Sequence, residues 1–110
     1  MIDVRIFKRK TGEVYGFTIK NHGNEIVCAA VSILAQNTVN SVEKFTDGAF
    51  KCEHDESGGY IFFEHEALKN GGELRDAALL LKSMVLGLEG IRDVYKNEIK
   101  ITTEVKNVKD

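Results

Sequence analysis

Residues 21–32, NHGNEIVCAAVS, decide how the chain is organised, because a polar loop runs directly into a helix there. The loop holds His22 and Gly23, and Asn24 is a favourable N-cap. Cys28 then falls in the first helical turn. A thiol in that position senses the positive end of the helix dipole and unpaired backbone N–H groups, which favour a nucleophilic thiolate. A neighbouring imidazole acts in such sites as a base or an ion-pair partner.

Composition limits the class of protein. With 110 residues, the chain predicts one domain over residues 1–110 with one hydrophobic core. The net charge of −2 gives no electrostatic reason to expect direct binding to nucleic acid. No apolar run approaches the ~18 residues of a membrane span, and the N-terminus lacks a signal-peptide pattern, so we expect a cytoplasmic protein with no membrane partner. In that compartment Cys28 and Cys52 are expected to be reduced rather than bridged.

Local patterns predict the first half of the fold. Alternating apolar residues predict strands at residues 2–8 and 14–20, joined by a turn at residues 9–13. A loop at residues 21–24 leads into a helix at residues 25–45. The predicted core stripe of that helix is Val27, Val31, Leu34, Val42 and Phe45.

The second half repeats the same kinds of element. Short strands at residues 49–54 and 60–66 flank a glycine-containing turn at residues 55–59. A helical pattern covers residues 73–95, and a last alternating strand covers residues 98–106. The element order is ββαββαβ, which predicts an α+β fold: a mainly antiparallel sheet with two helices packed on one face.

The second predicted helix is apolar over more of its circumference than a helix on one sheet requires. Leu80, Met84 and Ile91 form part of a second apolar edge beside its core stripe. A surplus of this kind commonly marks a subunit interface. We therefore predict a homodimer, with the alternative that the same residues fill the core of the monomer.

The residues around Cys28 permit more than one role. A lone cysteine in an alanine-rich helix is also typical of a small buried hydrophobe. Gly23 allows the loop to fold back, so that His22 comes near the thiol. Glu25 disfavours a thiolate if its carboxylate is close, or else orients His22 as a third member of the site. Ser32 hydrogen-bonds either the thiol or the backbone of its own helix.

A metal site is less well supported. Cys52 and His54 lie two apart on a predicted strand and so share one of its faces. If His54 pairs with Tyr60, however, His65 falls on the opposite face. Two ligands are fewer than zinc needs. A phosphate-binding loop is not indicated either, because no glycine pair is followed by the Lys-Ser/Thr of a P-loop. We expect neither a metal nor another cofactor.

Residues 26–32, IVCAAVS, and residues 16–19, GFTI, resemble the ribosomal-processing cysteine protease family, Prp. In that family a strand ends in Gly-His-Ala, a glycine-containing loop follows, and Asp-Ile-Val-Cys-Ala-x-Val-Ser opens a helix. The resemblance covers essentially the whole chain, since the later hairpin, long helix and final strand fit in size and order. It implies Cys28 as the nucleophile, Ser32 as the family serine one turn later, and Glu25 in place of the family aspartate.

The histidine is where the sequence departs from the family. Five residues separate His22 from Cys28, several fewer than in the family, and the motif reads Asn21-His22-Gly23 instead of Gly-His-Ala. Either His22 is the catalytic histidine at the end of a shortened loop, which we favour, or it aligns just before the last glycine of the loop and the catalytic histidine is missing.

The resemblance implies removal of a short N-terminal extension from a large-subunit ribosomal protein, the one whose N-terminus reaches the peptidyl-transferase centre. It also implies a homodimer. Two alternatives stay open. One is a non-catalytic ribosome-assembly factor that binds the same tail. The other is a thiol-redox protein, for which nothing in the sequence brings Cys52 near Cys28 as a resolving partner.

Overall fold

A computed structural model shows a five-stranded sheet with two long helices packed over it. It describes residues 1–55 and 58–106. Residues 56 and 57 of the predicted turn lie outside that set. The elements are β1 (Ile2–Arg9), β2 (Val14–Lys20), α1 (Glu25–Phe45), β3 (Phe50–His54), β4 (Tyr60–His65), α2 (Glu66–Lys69), α3 (Arg75–Val94) and β5 (Ile99–Lys106).

The strands lie in the order β3-β4-β2-β1-β5. Neighbouring strands are antiparallel, except that β5 lies parallel to β1. The α+β fold with a mainly antiparallel sheet is therefore confirmed.

The predicted count of two helices is wrong, because a four-residue helix, α2, follows β4 directly. Its N-cap is His65, whose Nδ1 accepts a hydrogen bond from the Leu68 N–H at 3.3 Å. Glu66 begins this helix instead of ending the strand. A helix of one turn is too short to show apolar periodicity, which is why the pattern missed it.

The core lies between the helices and one face of the sheet. On β1 alternate residues Ile2, Val4 and Ile6 are buried, as is Phe7, while Arg5 is exposed. The predicted stripe of α1 is right at most positions. Phe45, however, is 70% exposed at the end of the helix. The buried residues of the two long helices are Val27, Val31, Ala35, Thr38, Val39, Val42, Ala77, Leu81, Met84 and Leu88.

The helices α1 and α3 approach each other closely where Leu34 meets Gly87. A β-carbon on Gly87 would lie 2.7 Å from the Leu34 Cδ2 atom, so a larger residue there would displace the Leu34 side chain. Within residues 1–55 and 58–106, no helix has both the length and the hydropathy needed to cross a membrane.

The central strand, β2, is buried at every residue from Val14 to Ile19. A bulge in its pairing with β1 falls between Phe7 and Lys8. Beside it, a β-carbon on Gly16 would lie 2.4 Å from the Phe63 carbonyl oxygen of β4. Position 16 therefore has no room for a side chain.

Two glycine-to-alanine variants test this packing. Gly16→Ala should lower the free energy of unfolding by about 1–3 kcal/mol or more, because backbone atoms must move to admit the methyl group. Gly90→Ala is the matched control, since nothing lies within 4 Å of its β-carbon position in α3. It should raise the free energy of unfolding by about 0.5–1 kcal/mol. Urea titrations measure both changes, and equal stabilities would contradict the packing described.

Candidate active site

The loop between β2 and α1 turns the chain in four residues. Asn21 adopts a left-handed backbone conformation, with φ of 71°, and its N–H donates to the Gly59 carbonyl oxygen at 2.9 Å. Asn24 is the N-cap as predicted, because its Oδ1 accepts from the Ile26 N–H at 2.8 Å. The first main-chain bond of the helix runs from the Cys28 N–H to the Asn24 carbonyl oxygen at 2.8 Å. The loop and the helix start are thus fixed by their own hydrogen bonds.

The Cys28 thiol lies half-buried in the first turn of α1 and faces back toward the loop. The Gly23 N–H donates to its Sγ atom at 3.2 Å. The thiol in turn donates to the Gly23 carbonyl oxygen at 3.6 Å. An amide N–H directed at the sulfur, at the positive end of a 21-residue helix, stabilises negative charge there. Cys28 therefore has the surroundings of a nucleophile.

Gly23 is required for close packing. A β-carbon there would lie 3.1 Å from the Glu98 Oε2 atom and 3.3 Å from the Ile2 Cγ1 atom. The loop does fold back over the helix start, as the sequence predicts. The left-handed residue that turns it is Asn21, whereas Gly23 allows the loop to lie against β1 and against Glu98, directly before β5.

His22 is exposed, and its imidazole lies over Gly59. The position of a β-carbon on Gly59 would be 2.9 Å from the His22 Nε2 atom. His22 and Cys28 line the same cleft. Within the described ranges, the hydrogen bonds of the thiol are both to Gly23, and none joins it to the imidazole.

The side chains of the two other predicted supporting residues, Glu25 and Ser32, form no hydrogen bond with the His22 ring or the Cys28 thiol within the described residues. Glu25 is the first residue of α1 and is exposed, and no hydrogen bond between it and His22 occurs in residues 1–55 and 58–106. Ser32 lies one turn after Cys28 and lines the cleft. Across the same ranges, its hydroxyl forms no hydrogen bond with the thiol. Ser32 is therefore positioned to meet whatever occupies the cleft.

The cleft is open and has a volume of about 380 Å³. Apolar side chains of the sheet and α1 contribute Ile19, Ile61 and Ala35 to its lining. Gln36, two turns after Cys28 on α1, also lines the cleft. The sequence did not predict the polar residues that other elements contribute, because nothing local marks them; these are His54, Asp55 and Tyr60.

The predicted register of the β3–β4 hairpin is wrong by one residue. His54 pairs with Ile61 rather than Tyr60, and Phe50 pairs with His65. His54 and His65 therefore share a face of the sheet with Cys52. His65 is fully buried and caps α2. No group of three potential metal ligands is assembled in the part of the chain that the structure describes.

Cys52 has the character of an unreactive thiol. It is free and half-buried on β3. Burial raises the pKa of the Cys52 thiol, and the nearby carboxylates of Glu43 and Glu53 raise it further. Less of it is ionised at neutral pH than of an ordinary cysteine, so it is a poor nucleophile.

Known proteins resemble this chain in sequence and in structure. The model of the family described as cysteine protease Prp matches residues 1–100. The ribosomal processing cysteine protease Prp of Bacillus subtilis is 31% identical over 84 residues, covering 76% of this chain and 75% of that protein. The Staphylococcus aureus protein of the same name is 26% identical over 107 residues, covering 92% and 97%.

A crystal structure of the essential ribosomal processing protease Prp from S. aureus, in complex with a covalently linked product peptide, is also similar. It superimposes with a TM-score of 0.85 at 26% identity, covering 94% of this chain and 100% of that one.

Alkylation compares the two thiols directly. At pH 8, iodoacetamide should modify Cys28 well before Cys52, because the raised pKa of Cys52 leaves less thiolate at that pH. Peptide mapping by mass spectrometry identifies the modified residue. Cys52→Ser should leave the fast phase intact, while Cys28→Ser should remove it. Modification of Cys52 at the same rate as Cys28 would contradict the assignment.

Proposed function

The chain belongs to the cysteine protease Prp family, and we propose that it removes an N-terminal extension from a large-subunit ribosomal protein. The position of the Cys28 thiol carries the proposal. The thiol lies at the start of α1, accepts a hydrogen bond from the Gly23 N–H and lines a cleft with His22. Relatives named for ribosomal processing support the class of substrate. The ribosomal protein whose N-terminus reaches the peptidyl-transferase centre is the proposed target.

The proposed reaction proceeds through an acyl-enzyme. His22 takes the proton of Cys28, and the thiolate attacks the carbonyl carbon of the scissile peptide bond. Backbone N–H groups at the start of α1 stabilise the oxyanion of the tetrahedral intermediate. His22 then gives its proton to the departing amine as the C–N bond breaks. Water, deprotonated by His22, cleaves the thioester and releases the carboxylic acid product with the free thiol.

The shape of the cleft fits an extended peptide. An open groove with apolar Ile19 and Ile61 in its lining accommodates side chains of a segment that lies along α1. Polar groups further along the groove, on Gln36 and His54, are available to hydrogen-bond the backbone of such a segment. A flexible N-terminal tail meets these requirements, whereas a folded surface does not enter a groove of this size. Ribosome assembly places the proposed reaction in the cytoplasm.

A cleavage assay tests the proposal. The substrate is the extended ribosomal protein encoded by the same genome, and the product is identified by mass spectrometry. The wild type should release the tail, and Cys28→Ala should abolish cleavage. His22→Ala should lower the rate by about 10²-fold or more, because the base is lost.

The control is Cys52→Ala, which should cleave at the wild-type rate. Cleavage by Cys28→Ala would overturn the assignment of the nucleophile. Normal cleavage by His22→Ala would show that another group is the base. Binding of the tail by the wild type without cleavage would identify a non-catalytic assembly factor.

We propose further that two copies associate through the outer surface of the helices. The apolar edge singled out in the sequence is core instead, since Met84 is buried and Leu80 and Ile91 pack against the core. Different residues are exposed: Leu79 and Leu86 lie seven apart on α3 and are 60% and 72% exposed. Burying such side chains contributes roughly 1.5–3 kcal/mol each, and a two-fold axis would bury every one of them twice.

The dimer is tested by light scattering after gel filtration. The wild type should have the mass of two chains, and Leu86→Glu should have the mass of one, because a buried carboxylate without a partner is costly. Val105→Glu is the control, since Val105 is similarly exposed but lies on β5. A monomeric wild type, or a Leu86→Glu variant that remains dimeric, would contradict the interface.

A further inference from the structure

The loop that carries the site is attached to a residue far along the chain. Glu98 lies in the turn directly before β5, and its Oε2 atom accepts a hydrogen bond from the Asn24 N–H at 3.0 Å. We propose that Glu98 is a positioning residue for Cys28, acting through the Gly23–Asn24 peptide group. The effect on catalysis rests on the proposed function, whereas the effect on the loop does not.

The peptide group between Gly23 and Asn24 connects the two side chains. Its N–H is the donor to Glu98, and its carbonyl oxygen accepts from the Cys28 thiol at 3.6 Å. A peptide group is planar, so an anchor on its N–H also sets the direction of its C=O. The Glu98 carboxylate therefore sets the direction of the Gly23 carbonyl oxygen that faces the sulfur.

The anchor is itself firmly held. The backbone N–H of Glu98 donates to the Tyr95 carbonyl oxygen at 3.0 Å, and the Glu98 carbonyl oxygen accepts from the Ile2 N–H at 2.9 Å. Glu98 is also in close contact with the loop, because its Oε2 atom would be 3.1 Å from a β-carbon on Gly23. The backbone of Glu98 is therefore fixed beside the loop, within reach of the Asn24 N–H.

The Glu98 carboxylate has no other partner than the Asn24 N–H among the described residues. Within residues 1–55 and 58–106 it forms no ion pair, and its one hydrogen bond is with Asn24. A hydrogen bond from an amide to a carboxylate is stronger than one between neutral groups. A negative charge beside the start of α1 interacts favourably with the helix dipole.

Loss of the anchor frees a glycine-containing segment. Without the carboxylate, the Gly23–Asn24 peptide group can rotate, since Gly23 restricts its own backbone very little. Rotation moves the Gly23 carbonyl oxygen away from the Cys28 thiol, whose Sγ atom now lies 3.6 Å from it. The fold is retained, because α1 keeps its cap from the Asn24 side chain and its buried stripe.

Three variants test the proposal, with a fluorogenic peptide of the ribosomal-protein tail as the substrate. Glu98→Ala should lower kcat by about 10- to 100-fold with KM nearly unchanged, because misplacement of the reacting group slows the chemical step. Glu98→Gln should recover most of kcat, since its amide oxygen still accepts from Asn24. Glu104→Ala, in the strand that follows Glu98 but paired with Arg5, should behave as the wild type.

Hydrogen–deuterium exchange supplies a readout without substrate. The peptide covering residues 21–28 should exchange faster in Glu98→Ala, but not in Glu98→Gln or Glu104→Ala. If no form of the protein cleaves the tail yet this shift occurs, the proposed function fails and the anchor stands. An unchanged exchange rate, a normal kcat in Glu98→Ala, or a loss expressed in KM alone would overturn the positioning role.

Discussion

The short connection between the central strand and the first helix is the constraint on which the site depends. β2 is buried along six consecutive residues, so the core fixes where it ends. Four residues must then reverse the chain and cap α1. Asn21 makes the turn through a left-handed conformation, and Asn24 provides the cap. Because the loop has no residue to spare, its backbone lies against the first helical turn, and the Gly23 N–H reaches the Cys28 sulfur.

Local patterns were sufficient for most of the fold because most of its elements are long. The bounds of α1 are as predicted, and those of the strands differ by one residue at some ends. The failures concern features that distant contacts decide. A histidine ring nitrogen caps α2, and histidine is not among the usual capping residues. Packing of the hairpin sets the β3–β4 register, and a slip of one residue there moves His65 to the other face.

The site was predictable to the extent that it is local in sequence. The loop, the cap and Cys28 are contiguous, and a resemblance to a family could be read from them. Glu98 is 74 residues from its partner Asn24, and neither a pattern nor a spacing connects the two. Gly59 contributes to the site because it has no side chain, which leaves room for the His22 ring. The sequence left open for a similar reason whether Leu80, Met84 and Ile91 belong to an interface or to the core, since it defines the helical period of α3 but not which side meets the sheet.

In the proposed reaction His22 takes the proton of Cys28, although no hydrogen bond joins the two side chains within the described residues. The thiol donates weakly to the Gly23 carbonyl oxygen, a contact that is lost when the proton leaves, whereas the Gly23 N–H contact strengthens once the sulfur is charged. Catalytic hydrogen bonds are often long in free enzymes and shorten when substrate binds. A peptide bound between α1 and residues 58–61 would contact both side chains, since both line the cleft. The proposed reaction would then need a movement of the His22 ring, because the loop backbone already directs the Gly23 N–H at the sulfur.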